Sequence, residues 1–447
     1  MADTGETRLP ALVIGLMSGT SLDGLDIAAV VLRESSSGKA VAAGASTTSE
    51  SRADSHAAPP ALDFELVASA CVPYNQEWMN RLGTLHEASA AEYVRADAQL
   101  GALMGTAVRN FVIEHVEVLE RATPTGALLA VGSHGHTVFH APDEAVTTQI
   151  GSLSHLAAAA RADAADADHG GDTAPNDAVN GGGDDRVARA TAMLKRAAVV
   201  GDFRTLDVAW GGQGAPLVPI GDALLFGAFD ACLNLGGIAN VSVARRGVAF
   251  DICPCNMALN YLARKVGCEY DQDGDRARAA AEADPGGIDD ALLTALNADP
   301  FFDLPAPKSL GREFCDASVF GMLDVAVGGG DEVNEAAVAS VLATYVAHVA
   351  GQIGAAVAPF QDDISTLLVS GGGARNAYLM EVLRARLADA GIEVHTPGAD
   401  TVDFKEAIVF GLLAWLRLSR LPTTLASVTG APRDLCTGVV VAPEHVA

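Results

Sequence analysis

The chain has 447 residues, a formal net charge of −27 at pH 7 and a hydrophobic share of 49%, so it is long enough to fill two hydrophobic cores. The negative charge argues against binding to nucleic acid or to an anionic membrane surface, because both need cationic side chains. Seven cysteines without the spacing of a disulfide scaffold, no signal-peptide pattern and apolar runs no longer than a strand predict a cytoplasmic protein that does not span a membrane.

Hydrophobic periodicity predicts strands and helices that alternate along the chain. In the first half we expect strands over 12–16, 26–32, 64–72 and 127–132, and a long helix or helix pair over 92–121. In the second half we expect strands over 231–235, 241–244, 248–252, 366–370 and 393–395, and helices over 256–266, 333–358, 377–390 and 405–418. Two copies of one plan predict a duplicated α/β fold with the active site between the copies.

Two segments, near 34–60 and 161–190, have almost no bulky apolar residues. Neither can bury enough apolar surface to offset the entropy cost of ordering the chain. We therefore expect mobile surface loops there. The alternative for the second segment is an acidic loop that docks a partner.

The turn between the first two strands is rich in glycine, hydroxyl and acidic residues. Gly19 and Gly24 can adopt φ > 0 and let backbone N–H groups approach an anion. Asp23 and Asp26 are the acids expected to hold a Mg²⁺ that bridges phosphate oxygens. The alternative is ordinary turn chemistry. The predicted phosphate-binding residues of this turn are Gly19, Thr20, Ser21, Leu22, Asp23, Gly24, Leu25 and Asp26.

Two more glycine-rich turns follow strands in the second half of the chain. The last of them opens into the predicted helix over 377–390, whose first N–H groups can face a phosphate. Neither turn has the spacing of a Walker A loop or of a dinucleotide fingerprint. Three strand-end turns together predict a site for one nucleotide. The residues of the two later turns are Asn234, Gly236, Gly237, Gly371, Gly372, Gly373 and Asn376.

Candidate catalytic residues follow two further strands of the first half. Asp202 ends an apolar strand, where side chains emerge at the edge of an α/β sheet; the alternative is that Asp202 caps a helix or pairs with Arg204. His134, His136 and His140 have a spacing that also occurs in zinc hydrolases. We keep a zinc hydrolase as an alternative, although no other residues complete the ligand set.

The chain resembles the anhydro-N-acetylmuramic acid kinases, a family within the actin, hexokinase and Hsp70 superfamily of ATPases. The resemblance rests on motifs in the family's order at 15–24, 132–135, 149–151, 202–204, 211–219, 234–237, 307–313, 371–376 and 406–407. It implies a two-lobed actin-like fold of duplicated ribonuclease-H-like domains with an interlobe active-site cleft. The implied lobes cover 9–213 and 214–422, and a segment over 423–447 packs back on the N-terminal lobe.

The resemblance also implies an activity, namely opening of a 1,6-anhydro amino sugar by water and phosphorylation of its 6-oxygen, with ATP and Mg²⁺, in peptidoglycan recycling. Asp202 matches the family's catalytic aspartate and would accept the proton of the attacking water. The partner is then a small anhydro sugar, with a homodimer left open and a noncatalytic sugar or nucleotide sensor as another alternative. The implied sugar-binding residues are His134, His136, Thr137, Gln149, Gly151, Arg204 and Glu406.

The chain departs from the family at four positions. Cys253 and Cys255 replace glycines, Asn260 replaces an aspartate, and His136 stands where glutamine is usual. We expect Cys255 either to crowd the sugar or to widen the pocket, and Asn260 to lose any charge contact made there. A Cys-x-Cys pair can also be redox-active, but adjacent free thiols are more often inert.

Overall fold

The computed structural model describes residues 9–19, 24–35, 59–163, 183–283, 287–306, 308–328 and 334–444. The chain divides into two compact units, the first formed by Met1–Leu225 with Glu406–Ala447 and the second by Phe226–Lys405. Each unit has its own sheet and its own hydrophobic core.

The strands are β1 (Ala11–Ser18), β2 (Gly24–Glu34), β3 (Leu62–Pro73), β4 (Leu128–Ser133), β5 (His136–Ala141), β6 (Val146–Ile150), β7 (Ala198–Gly201), β8 (Ala231–Leu235), β9 (Ile238–Val243), β10 (Val248–Pro254), β11 (Thr366–Ser370), β12 (Glu393–His395) and β13 (Val439–Val441). The helices are α1 (Gln76–Thr84), α2 (Ala90–Ala122), α3 (Leu153–Arg161), α4 (Gly183–Arg196), α5 (Thr205–Ala209), α6 (Val218–Leu225), α7 (Asn256–Lys265), α8 (Asp275–Ala283), α9 (Asp290–Asn297), α10 (Arg312–Phe314), α11 (Phe320–Ala326), α12 (Glu335–Val357), α13 (Ala377–Ala388), α14 (Ala399–Leu418) and α15 (Ala426–Thr429).

The two main sheets share one topology. In the described residues, the sheet of the first unit has the order β13-β7-β4-β1-β2-β3, and that of the second has the order β10-β9-β8-β11-β12. In each, three antiparallel strands continue into two strands parallel to the first strand of the unit. The expected α/β class and the duplicated plan are confirmed, whereas the interlobe cleft stays a prediction.

One face of the first sheet is aliphatic and packs on α2. Ile14 and Leu16 of β1 are fully buried there with Leu100 and Met104 of the helix. The opposite face has glycines in register on β1 and β4, and α14 lies directly on them. A Cβ at Gly132 would come within 2.1 Å of a backbone oxygen of α14. These motif glycines therefore serve helix–sheet packing.

The unit boundaries differ from the expected ends at 213 and 422. Helix α6 and residues from Glu406 onward belong to the first unit, because a Cβ at Gly221 of α6 would lie 2.4 Å from the side chain of Val409 on α14. The C-terminal strand β13 pairs with β7 in the same unit.

Helix α12 is the centre of the second core, and it corrects the expectation that every apolar run is strand-sized. Together with the following turn to Phe360 it is long and apolar enough to cross a membrane by length and composition alone, with a mean hydropathy of 1.5. However, 61% of its apolar window is buried inside the protein. Tyr345, Val349 and Ile353 of this helix are fully buried in the second core, which accounts for the composition.

The expected loop near 161–190 is wrong at its C-terminal end, because α4 begins at Gly183. Arg186 donates to Glu117 of α2 at 2.8 Å and Arg189 pairs with Glu120 of the same helix. The two arginines thus tie a polar helix to α2. The rest of that segment, 164–182, and residues 36–58 lie outside the described residues.

Candidate active site

Three parallel strands of the first unit end side by side, and a candidate site residue stands at each end. Leu16 of β1 is in register with Ser133 of β4, and Ser133 with Gly201 of β7. The residues that extend these strands therefore lie at one edge of the sheet, where α/β proteins bind ligands. They are Ser18, His134 and Asp202.

Asp202 has a left-handed backbone, with φ of 52°, a conformation that costs free energy in a residue other than glycine and is common at functional sites. Its Oδ1 accepts the backbone N–H of Thr205 at 3.2 Å, so the expected capping alternative is present. In the described part of the chain, no ion pair joins Asp202 to Arg204. A carboxylate has about four acceptor positions, and Asp202 is half-buried, so acceptor positions remain for a further hydrogen bond.

Arg204, which is half-buried, and His134, which is buried, form a hydrogen-bonded pair that allows one assignment of protons. The Nη2 of Arg204 lies 2.9 Å from Nε2 of His134, and Nδ1 of His134 lies 2.9 Å from the Gly135 carbonyl oxygen. Because a guanidinium only donates and a carbonyl only accepts, His134 is neutral and carries its proton on Nδ1. Burial, reinforced by the Arg204 charge, lowers the pKa of His134 to about 3.

This pairing bears on the expected role of His134. Both ring nitrogens are already hydrogen-bonded, so His134 has none left for a sugar in this conformation. Arg204 also donates through Nη1 to the Gly214 carbonyl at 3.0 Å, and its Nε is buried without a partner in the described residues. Burial lowers the pKa of Arg204 to about 10, so it remains a cation at neutral pH. Both sugar-binding roles stay predictions.

His136 begins the hairpin of β5 and β6 and is linked to the end of β1. The hydroxyl of Tyr74 donates to Oγ of Ser18 at 2.8 Å, and that Oγ lies 3.3 Å from Nδ1 of His136. All three side chains are buried. Burial lowers the pKa of His136, so the imidazole is neutral. Tyr74 carried no signal in the sequence for this position.

The same hairpin holds the other residues expected at the sugar. Thr137 lies opposite Gln149, and Oε1 of Gln149 is buried without a hydrogen bond among the described residues. Gly151 has φ of 112° and donates its N–H to Asp97 of α2 at 2.8 Å. Gly151 is thus required by the turn itself, and Asp97 is a supporting residue that the sequence reasoning missed.

The zinc alternative is not supported. Besides the pairings of His134 and His136, Nδ1 of His140 lies 3.0 Å from Oγ1 of Thr147. Among the residues that the structure describes, no group of three or more His, Cys, Asp or Glu side chains could hold a metal ion.

Glu406 lies well inside α14, which corrects the expectation that a helix begins at 405. The helix starts at Ala399, so a preference of acids for helix N-termini does not explain Glu406. Phe410 follows one turn later on the same face, and its ring centroid lies 4.8 Å from that of His134. The carboxylate of Glu406 raises the pKa of Arg204 against the effect of burial, so the two charges interact electrostatically.

Only part of the first phosphate turn can be compared with the structure, because Thr20, Ser21, Leu22 and Asp23 lie outside the described residues. Leu25 is fully buried in the first core, so a phosphate contact from it would come from its backbone. Gly24 pairs with Pro73 in the sheet, and a Cβ there would lie 2.6 Å from the Val72 oxygen. Asp26 lies on β2 opposite Met17.

In the second unit, the two glycine-rich turns contact each other at the ends of β8 and β11. Gly371 has φ of 82°, and a Cβ there would lie 2.4 Å from Oδ1 of Asn234. A Cβ at Gly373 would lie 2.7 Å from that of Leu235. By contrast, among the described residues a Cβ at Gly372 would meet only Nδ2 of Asn256, at 3.5 Å. The backbone at Gly372 is therefore open to a close ligand.

The flanking residues hold this arrangement in place. Asn256 donates through Nδ2 to the Leu235 carbonyl at 2.9 Å, and the backbone N–H of Asn256 donates to the Gly236 carbonyl at 3.1 Å. Asn376 accepts the N–H of Leu379 at 2.9 Å and so caps α13. A direct contact between Asn376 and ATP stays a prediction, as do those of Gly236 and Gly237.

Whether Cys255 crowds the sugar or widens the pocket stays a prediction, and its burial argues against direct contact with a ligand. Cys253 and Cys255 are both fully buried in the second core, and burial raises the pKa of both thiols, to about 12 for Cys255. They are packing residues and unreactive thiols. Asn260 is half-buried and lies one helical turn after Asn256, on the same face of α7.

Comparisons with known proteins agree with these observations. A sequence profile described as "Anhydro-N-acetylmuramic acid kinase" matches residues 11–182 and 177–443. Proteins of that name from Xanthomonas oryzae pv. oryzae, Gloeobacter violaceus and Haemophilus influenzae are 34%, 32% and 29% identical to this chain. Each alignment covers 96% of this chain, and 97%, 98% and 98% of the respective relative.

Proposed function

The chain belongs to the anhydro-N-acetylmuramic acid kinase family, and from this premise we propose that it uses ATP to convert 1,6-anhydro-N-acetylmuramic acid into its 6-phosphate. The observation that supports the proposal is the arrangement at the ends of β1, β4 and β7. A carboxylate with spare acceptor capacity, Asp202, follows one strand, and a cation with a spare donor, Arg204, lies beside it in sequence.

In the proposed reaction, a water molecule attacks the anomeric carbon and Asp202 accepts its proton. The bond between the anomeric carbon and the 6-oxygen breaks, and the freed 6-oxygen forms a bond to the γ-phosphorus of ATP. The bond from that phosphorus to the bridging oxygen breaks and ADP leaves. A positioned general base of this kind contributes a factor of about 10² to 10⁴ to the rate.

The sugar carries a carboxylate, and this chain is strongly acidic, so binding needs a local cation. Arg204 supplies one, and its unpartnered Nε–H is a donor for a sugar oxygen. Glu406 interacts electrostatically with Arg204 and would accept from a sugar hydroxyl. The hairpin of β5 and β6 would close the site through His136 and Thr137.

The phosphates of ATP would be bound by the glycine-rich turns, where the open backbone at Gly372 fits a close anion. Mg²⁺ supplies charge neutralisation of phosphate oxygens and keeps several waters, so one or two carboxylates suffice to hold it. Asp26, with Asp23, would provide them. Because ATP is the phosphoryl donor, we propose a cytoplasmic enzyme with a small-molecule partner.

The test is ATP turnover by the purified protein with and without 1,6-anhydro-N-acetylmuramic acid, with the product identified by mass spectrometry. In ¹⁸O-labelled water we expect the label on the anomeric carbon and not in the phosphate. Sugar-independent turnover, or none at all with both substrates bound, would contradict the proposal and favour a sensor.

A further inference from the structure

Asp207 on α5 is a fully buried carboxylate that the proposed reaction does not use. Its Oδ2 accepts the backbone N–H of Gly214 at 2.8 Å, and its Oδ1 accepts the hydroxyl of Thr429 at 2.9 Å. A Cβ at Gly212 would lie 2.2 Å from Oδ2. The carboxylate thus holds the loop over 211–214 against α5 and α15.

Gly214 of the same loop also contacts Arg204. The carbonyl of Gly214 accepts Nη1 of Arg204 at 3.0 Å, so the Asp207 and Arg204 contacts are made by two successive peptide groups that meet at the Cα of Gly214. Gly214 has φ of 67°, and a Cβ there would lie 2.6 Å from Val208. The tight packing at this Cα and the hydrogen bond to Asp207 therefore limit the movement of the residue that presents its carbonyl to Arg204.

The chain of contacts ends at His134. Arg204 donates to Nε2 of His134, which in turn donates through Nδ1 to the Gly135 carbonyl. With one N–H of Nη1 and one of Nη2 engaged, the planar guanidinium is held in one orientation, and this fixes the direction of its Nε–H. It is buried and has no partner in the described part of the chain.

We infer that Asp207 is a positioning residue, which fixes the guanidinium of Arg204 through Gly214 and thereby holds His134 as the Nδ1-protonated tautomer. The placement of Arg204 aims an unused donor at the substrate. This last step rests on the proposed function, whereas the link from Asp207 to the His134 tautomer does not.

The link from Asp207 to the His134 tautomer is tested by NMR, which needs no measurement of enzymatic activity. Two-bond ¹H–¹⁵N correlation spectra of the full-length protein report the histidine side chains, and His134 is assigned from His134→Asn. In the wild type we expect an unprotonated Nε2 and no protonation of His134 near neutral pH, because its pKa is lowered to about 3. In Asp207→Leu we expect Nε2 of His134 to be a mixture of protonated and unprotonated forms. We also expect the pKa of His134 to rise, because the Arg204 charge is no longer fixed beside the ring.

Two control variants show whether Asp207 positions Arg204 or only stabilises the surrounding structure. Asp207→Asn can still accept from Gly214 and donate to Thr429, so we expect wild-type histidine signals. Thr429→Val removes the other hydrogen bond of the carboxylate, together with the longer contacts of this hydroxyl to Leu425 and Ala431, and His134 should again be unchanged. Should Asp207→Leu not fold, Asp207→Ser, which is too short to reach Gly214, carries the same expectation.

A kinetic experiment measures the KM of each variant for the sugar and for ATP. In Asp207→Leu or Asp207→Ser we expect the KM for the sugar to rise about tenfold and the KM for ATP to stay within about twofold. A folded Asp207→Leu or Asp207→Ser with wild-type His134 signals would overturn the inference. Absence of sugar-dependent turnover in the wild type would overturn the proposed function alone, because the histidine spectra would still decide the role of Asp207.

Discussion

The backbone of Gly15 on β1 lies against that of Ala407 on α14, so closely that a Cβ on Gly15 would be 1.7 Å from the Ala407 carbonyl oxygen. Helix α14 therefore packs directly on the backbone of the first sheet at Gly15. Because Glu406 immediately precedes Ala407, the same contact fixes the backbone position of Glu406 relative to the first sheet.

We predict that Gly15→Ala lowers the free energy of unfolding by about 3 kcal/mol, since the added methyl group meets backbone that cannot rotate away. Chemical denaturation measures this. Gly351→Ala on α12 is the matched control, because no neighbouring atom of the described residues lies within 4 Å of its added Cβ, and it should stabilise the protein by about 0.5–1 kcal/mol. Equal changes in the free energy of unfolding for the two variants would show that α14 does not pack directly on Gly15.

A second prediction concerns Asp230, which links the starts of β8 and β11. Its Oδ2 accepts from the backbone and hydroxyl groups of Ser365 and Thr366 at 2.7–3.0 Å. Burial opposes ionisation, but these hydrogen bonds prevail and lower its pKa from 3.8 to about 2. A lowered pKa stabilises the folded state above pH 3.8, and this contribution is lost as the pH falls toward 2.

Asp230→Asn should therefore lower the free energy of unfolding at pH 7 by about 2 kcal/mol, and the difference from wild type should shrink between pH 4 and pH 2. Urea unfolding at several pH values measures it. A difference that stays constant down to pH 2 would mean that the ionised carboxylate is not what stabilises this link.

The sheet plan could be predicted from sequence because its signals are local. Apolar alternation marks the strands, and the glycines that close turns or admit a helix sit at strand ends. The helices that were missed or misplaced have weak local signals: α4 is rich in charge and held by arginine pairs to α2, and the first turns of α14 mix acidic and apolar residues.

The site was predictable only in part. Asp202 and Arg204 stand in a motif after a strand, but their supports come from distant positions. Thr429 reaches Asp207 across 222 residues of sequence, and no local pattern marks that pair. Cys255 replaces a glycine of the family motif, and its burial in the second core depends on packing that sequence alone does not specify.

A third prediction follows for the cysteines. Cys71 is exposed, whereas Cys253 and Cys255 are buried, and burial keeps both buried thiols protonated. In the native protein, iodoacetamide should modify Cys71 and leave the other two unmodified, as peptide mass mapping will show. Rapid modification of Cys255 would place it at an accessible site and restore the idea that it faces a ligand.

A fourth prediction distinguishes the effects of Cys255 and Asn260, two of the four positions at which the chain departs from the family. Cys255→Gly should lower the free energy of unfolding by about 1–2 kcal/mol, because it leaves a cavity in the second core, and should not raise kcat/KM. Asn260→Asp, one turn from Asn256, should raise kcat/KM for the anhydro sugar, since it restores a charge at that helix face. A gain from Cys255→Gly alone would contradict the packing role.

The central claim is that Asp202 accepts a proton in the proposed reaction, and Asp202→Asn tests it most directly. The amide oxygen can still accept the N–H of Thr205, so the local cap is retained while the base is lost. We expect kcat to fall by a factor of about 10² to 10⁴ with the KM values for ATP and sugar near those of wild type. A folded Asp202→Asn with wild-type kcat in sugar-dependent ATP turnover would contradict the account.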